Sequence, residues 1–136
     1  ADRSARFGSA FTKIGILPDM GLLYTLPQRV GLSKARELMM LAIPIGAEEA
    51  ARIGLVDELV EPGKALEAAL RYAALLAELS PLAIAYTKAA LATGVTSIED
   101  AMRLELDLQP ILALSEDSRE GMLAFKERRK PKFSGK

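Results

Sequence analysis

The 136-residue sequence predicts an α/β chain that is mostly helical. Strand-like segments, glycines and prolines concentrate before about residue 64, and Ala/Leu-rich stretches with helical periodicity fill the remainder. Apolar residues make up 50% and charged residues 26%, the composition of a globular domain or part of one. Only two short strands are visible, too few for a stable sheet, so further strands are expected upstream.

Residues 7–16 read as a short strand running into a loop. Phe7, Ser9, Phe11 and Lys13 fall on one face and Gly8, Ala10, Thr12 and Ile14 on the other, an imperfect alternation. Gly15, Pro18, Asp19 and Gly21 then crowd into a turn. Residues 22–30 are helix-compatible up to Pro27 and closed by Gly31, and Ser33 is placed to cap a second helix carrying Ala35, Leu38, Met39 and Ala42. Ile43, Pro44 and Ile45 form an extended link. Gly46 opens a helix over 47–53 with Glu48 and Glu49 in its first turn, where the dipole favours them, and Gly54 stops it. Residues 55–60 resemble a strand ended by Pro62 and Gly63.

The second half reads as helix throughout. Residues 65–79 put Leu66, Leu70, Ala73, Ala74 and Ala77 on one face, and Ser80-Pro81 supplies a cap and a first-turn proline for a helix reaching Gly94. Residues 97–100 offer a capping box, and Pro110 is expected to kink or end that helix near Gln109. A last helix is expected from Asp117 or Ser118, with Met122 and Phe125 inward, breaking up in the basic tail over 126–136.

The 18 Lys+Arg balance 18 Asp+Glu, so no whole-domain attraction to nucleic acid or an anionic membrane is expected. With no His and no Cys, imidazole and thiolate chemistry are excluded, from Ser-His-Asp hydrolysis to Cys/His zinc sites. Proton transfer is left to carboxylate, Lys or Tyr. The lack of disulfides is compatible with the cytoplasm, the expected location. The first residues show neither an initiator Met nor a signal-peptide pattern, and the chain is expected to begin within a longer protein.

One acid stands among apolar residues in a turn, Asp19 in the run from Lys13 to Gly21. Desolvation raises a carboxyl pKa, which suits such a group to general acid or base work. The alternative is a cap for the helix that starts near Gly21. No nucleotide-loop, HExxH or EF-hand pattern occurs, so no metal site and no cofactor are expected. The basic residues over 126–132 can meet a phosphate or simply complement a helix end.

The order Phe7-Gly8, then Ala10 through Gly21, Leu26-Pro27, Val30-Gly31, Ala47-Glu48-Glu49-Ala50 and Ile53-Gly54-Leu55-Val56 resembles the second half of the enoyl-CoA hydratase/isomerase (crotonase) superfamily. Glu116-Asp117, Glu120-Gly121, Ala124-Phe125, Arg128-Arg129, Pro131 and Phe133 resemble its C-terminus.

The resemblance implies a spiral of ββα turns over 1–79 and a helical trimerisation region over 80–136, in a homotrimer or hexamer. It implies an acyl-CoA substrate and an oxyanion hole of two backbone N–H groups that stabilise an enolate. In the family both hole-forming segments and one hydratase glutamate precede the region matched here, so the isolated chain is expected to be inactive and to bind CoA weakly.

The second hydratase glutamate falls at Phe11, which cannot exchange a proton. Asp19 falls where isomerase members carry a catalytic aspartate, including those resembling phenylacetyl-CoA ring-epoxide and dienoyl-CoA isomerases. Phe11, Leu17, Met20 and Leu23 are expected to line the acyl site, Phe125 the adenine side, and Arg128 to reach CoA from a neighbouring subunit. Ala42 stands where the family usually has Gly. An isomerase is the expected activity, with a hydratase or a non-catalytic helical assembly module as alternatives.

Overall fold

A computed structural model describes residues 1–136. The order of elements is β1 (Arg6–Phe7), a 3-10 helix (Phe11–Ile14), α1 (Leu22–Val30), α2 (Leu32–Leu41), β2 (Ile45–Gly46), α3 (Ala47–Arg52), α4 (Ala65–Ala77), α5 (Pro81–Ala92), α6 (Ile98–Ala113) and α7 (Glu116–Glu127). Two compact units divide between Leu70 and Arg71, inside α4, nine residues before the boundary expected at residue 79. No single helix is long and apolar enough to cross a membrane.

In the first unit β1 and β2 pair antiparallel, Arg6 opposite Gly46 and Phe7 opposite Ile45. Of the short strand and loop expected over 7–16, only Phe7 belongs to the strand, which is Arg6–Phe7. Beyond Phe7 no neighbouring strand takes up the backbone groups, so the chain satisfies them locally: Lys13 N–H donates to Ala10 and Ile16 N–H to Phe11, at 3.1 and 3.2 Å. The strand expected over 55–60 reduces to an isolated parallel bridge between Asp2 and Val60. It is tied by Arg3 N–H to Val60 C=O at 3.0 Å and Val60 N–H to Ala1 C=O at 3.1 Å.

Pro27 does not end α1, which continues to Val30, and Gly31 then serves as the N-cap position of α2 in place of Ser33. A one-residue joint leaves no room for a separate cap. Leu26, Ala35, Leu38 and Met39 form the core of this unit, with Leu22, Val30, Ile45, Ile53 and Leu55 packed against them. Ala42 closes α2 in the left-handed region at φ 52° while 2% exposed. That backbone geometry explains why glycine suits the position.

In the second unit Ser80 and Ser97 act as the expected caps, and Ser115 caps α7 without having been expected to. Ser80 accepts from Ala83 N–H, Ser97 from Asp100 N–H and Ser115 from Ser118 N–H. The capping box is only half formed, because the Asp100 carboxylate accepts from the Thr96 hydroxyl at 3.0 Å. Pro110 neither ends nor breaks α6, which runs on to Ala113.

The largest departure is at α7. It starts at Glu116, and Met122 and Phe125, expected inward, are 63% and 88% exposed. The covered face is instead Asp117, Gly121 and Ala124, spaced by four and three residues. Its cover is the tail, which folds back rather than dissolving. The Phe133 ring lies 3.5 Å from where a Cβ on Gly121 would stand, and Pro81 lies 3.7 Å from where one on Gly135 would stand. Asp117, 2% exposed, accepts from the Ser80 hydroxyl at 2.8 Å and from the N–H of Ser134 at 2.7 Å and Gly135 at 3.1 Å. Burial pushes its carboxyl up, but the Ser134, Ser80 and Gly135 donors outweigh that and hold it below the ordinary value.

Glu120 clasps the same tail through Arg129 at 2.8 Å and the Lys132 N–H at 2.7 Å. The Arg129 guanidinium first, then the Lys132 N–H, hold the Glu120 carboxyl down to about 2, against an ordinary 4.5. A depressed folded value gives stability that is complete above the unfolded value and lost as pH falls through the folded one. The tail is therefore expected to loosen between pH 4.5 and about 2. Hydrogen exchange at the Lys132 amide, corrected for intrinsic rate, checks this, and Glu120→Gln should flatten the Glu120 contribution.

Candidate active site

The loop bearing Asp19 is shaped by its backbone. Gly15 ends the 3-10 helix at φ 78°, and Met20 and Gly21 are both left-handed at φ 52° and 78°. A methionine in that region costs roughly 1–2 kcal/mol, which the surrounding fold has to offset. Asp19 C=O accepts from Leu22 N–H at 3.0 Å, and Gly21 C=O takes the N–H groups of Tyr24 and Thr25 and the Thr25 hydroxyl. These bonds fix the entry into α1 by main chain alone. α1 begins without a side-chain cap, its N-cap position being Gly21.

Asp19 is exposed, as are Leu17 at 70%, Met20 at 97% and Leu23 at 49%, whereas Pro18 beneath them is buried. Phe11 is half-buried at the start of the 3-10 helix. Five predicted site residues thus belong to one stretch of the first unit, between residues 11 and 23. Phe125 and Arg128 belong to the second unit, where Arg128 closes α7 at φ 55°.

Two features of this region escaped the sequence reading. A cavity of about 330 Å³ opens among Phe7, Ser9, Leu22, Leu26, Leu38 and Leu55. It shares Leu22 with the end of the Asp19 loop, three residues on and so within about 11 Å along the chain. The Ser9 hydroxyl beside it is buried and has no hydrogen-bond partner. The second feature is Thr12, whose hydroxyl donates to the Met39 carbonyl at 3.1 Å. Neither was legible, since Ser and Thr in a Gly-rich stretch carry no periodic signal.

Electrostatically the site is sparse. Arg29, in the last turn of α1, pairs with Asp57, and the Arg29 hydrogen bond holds that carboxyl below its ordinary value. No cluster of three His, Cys, Asp or Glu side chains is placed to hold a metal ion.

Comparison with known proteins gives this loop its family. The model for the enoyl-CoA hydratase/isomerase family matches residues 1–136, and the chain belongs to that family. It is 37% identical over 137 residues to a crotonyl-CoA hydratase of Syntrophomonas wolfei, covering 100% of this chain and 53% of that one. It is 34% identical over 137 residues to a 1,2-epoxyphenylacetyl-CoA isomerase of Escherichia coli, covering 100% and 52%. Among solved structures, an enoyl-CoA hydratase from Bacillus anthracis superposes with a TM-score of 0.93 at 30% identity, over 99% of this chain and 53% of that one. The fold is accordingly part of the crotonase α/β fold, and the chain spans about half the length of the curated relatives it matches.

Proposed function

We propose that this chain supplies the proton-transfer residue of an acyl-CoA isomerase, with Asp19 as the shuttle. The observation that carries the reading is a carboxylate left out of the helix cap on a main-chain-fixed loop, flanked by exposed Leu17 and Met20. The Asp19 carboxylate takes a proton from C2 of a 3-enoyl thioester. The electron pair moves onto the thioester oxygen as an enolate, held by backbone N–H donors from the part of the family fold outside these 136 residues. The enolate collapses, C4 receives the proton from the Asp19 carboxyl, and the double bond comes to lie between C2 and C3. Atoms and charge balance and the carboxylate is regenerated. The thioester itself acidifies C2, so no cofactor is needed.

The cavity beside Leu22 suits a hydrocarbon acyl group, and Arg128 with its planar fork suits a CoA phosphate. Homotrimeric or hexameric assembly in the cytoplasm completes the reading, with the exposed apolar side chains of α5 and α6, such as Leu91, Met102 and Leu106, as surface for subunit contact.

Hydration is the second reading, favoured by the name of the crotonyl-CoA hydratase relative. Phe11 weighs against it, because a phenyl ring neither activates water nor protonates carbon. The product decides between them. The full-length protein given a 3-enoyl-CoA should yield the conjugated 2-enoyl-CoA at unchanged mass. No conversion of the 3-enoyl-CoA alongside hydration of a 2-enoyl-CoA would refute the isomerase reading.

A further inference from the structure

We propose that Thr12 is a positioning residue for Asp19, through the bond from its hydroxyl to the end of α2. This inference rests on the shuttle reading of Asp19 and adds a residue to it. The last carbonyls of a helix have no partner within it, and Met39 lies in that final turn. Thr12 Oγ1 donates to the Met39 carbonyl at 3.1 Å and lies 3.5 Å from that of Met40. The bond joins residues 27 apart in sequence, so it ties the 3-10 helix to a different element rather than to itself.

The consequence for Asp19 follows from how few anchors the loop has. Thr12 C=O accepts from Gly15 N–H at 3.3 Å and Phe11 C=O from Ile16 N–H at 3.2 Å, both inside the segment that the Thr12 hydroxyl ties to α2, and the next main-chain bond is that of Leu22 N–H to Asp19 C=O. The carboxylate therefore lies between the segment tied down by the Thr12 bond on one side and the start of α1 on the other, next to the buried Pro18. Met39 is itself a core residue, 7% exposed, so the upstream point is anchored to the packed α1–α2 pair. Removing the hydroxyl frees the upstream point while leaving the packing and the carboxylate chemistry intact. The expected loss is one of orientation, which falls on turnover and not on substrate binding.

The test compares Thr12→Val, of the same shape without the hydroxyl, with Thr12→Ser, which keeps it, in the full-length protein with a 3-enoyl-CoA as substrate. Thr12→Val should lower kcat about 10- to 100-fold with KM within about twofold, and Thr12→Ser should recover most of the loss. Gly15→Ala disturbs the same turn at φ 78° and should reproduce the kcat loss even if the valine variant folds poorly. A melting temperature that drops while kcat holds would show that Thr12 only stabilises, and would overturn the proposal. So would a serine variant as impaired as the valine one. Asp19→Asn run in parallel separates the layers. If it is inactive while Thr12→Val is unimpaired, the positioning role alone fails. If it is fully active, the shuttle reading fails and Thr12 with it.

Discussion

Asp19→Asn in the full-length protein is expected to slow double-bond isomerisation about 10²- to 10⁴-fold, the usual worth of a positioned acid or base. Asparagine keeps the shape and cannot carry the proton. The fold should not register the change, because the Asp19 carboxylate does no capping and the turn is held by the Asp19 and Gly21 carbonyls. Steady-state rates with a 3-enoyl-CoA, read by the rise of conjugated thioester absorbance, give the first half of the prediction. An unchanged melting curve gives the second. Undiminished turnover would return Asp19 to the status of a loop residue.

Asp117→Ala is expected to be the most damaging single change in the second unit. It strips three protein donors of their acceptor, namely the Ser80 hydroxyl and the N–H groups of Ser134 and Gly135. Partly buried donors left without partners add a cost to the loss of the bonds themselves. The same change undercuts the N-cap of α5, since Ser80 is oriented by Asp117 while its oxygen accepts from Ala83 N–H. A fall in melting temperature of roughly 10 °C is expected, with the last residues becoming open to carboxypeptidase. Asp117→Asn, which keeps an acceptor oxygen, should lose about half as much. Equal losses in the two variants would point to the charge, and not the acceptor geometry, as what matters.

These two aspartates also mark what could be read in advance. Helices announced by caps and periodicity, such as α5 with Ser80-Pro81 and α3 with its first-turn glutamates, stand where the sequence places them. So does the turn around Asp19, because glycine and proline dictate backbone locally. The missed features all depend on a distant partner. The strand at Phe7 is short because only Ile45–Gly46 lies beside it. The inner face of α7 carries Asp117 and Glu120 beside Gly121 and Ala124 because the tail brings N–H donors to the two carboxylates, and Met122 and Phe125 are left outside. Pro110 is tolerated within α6, where Leu106, one turn earlier, is exposed and water can reach the carbonyl that the proline leaves unpaired. Within the candidate site, Asp19 is singled out by its residue type and Phe11 only by the family resemblance, while the Thr12 hydroxyl bonds Met39, 27 residues away.

The bare hydrocarbon of Leu17, Met20 and Ile14, at 70%, 97% and 72% exposure, has a practical corollary for anyone handling the polypeptide. Side chains this naked in water stick to detergents, dyes and one another. Expressed alone, the segment should light up a fluorescent probe such as ANS and cloud on concentration. Co-production with whatever surface normally shields that loop should quench the dye and keep the solution clear.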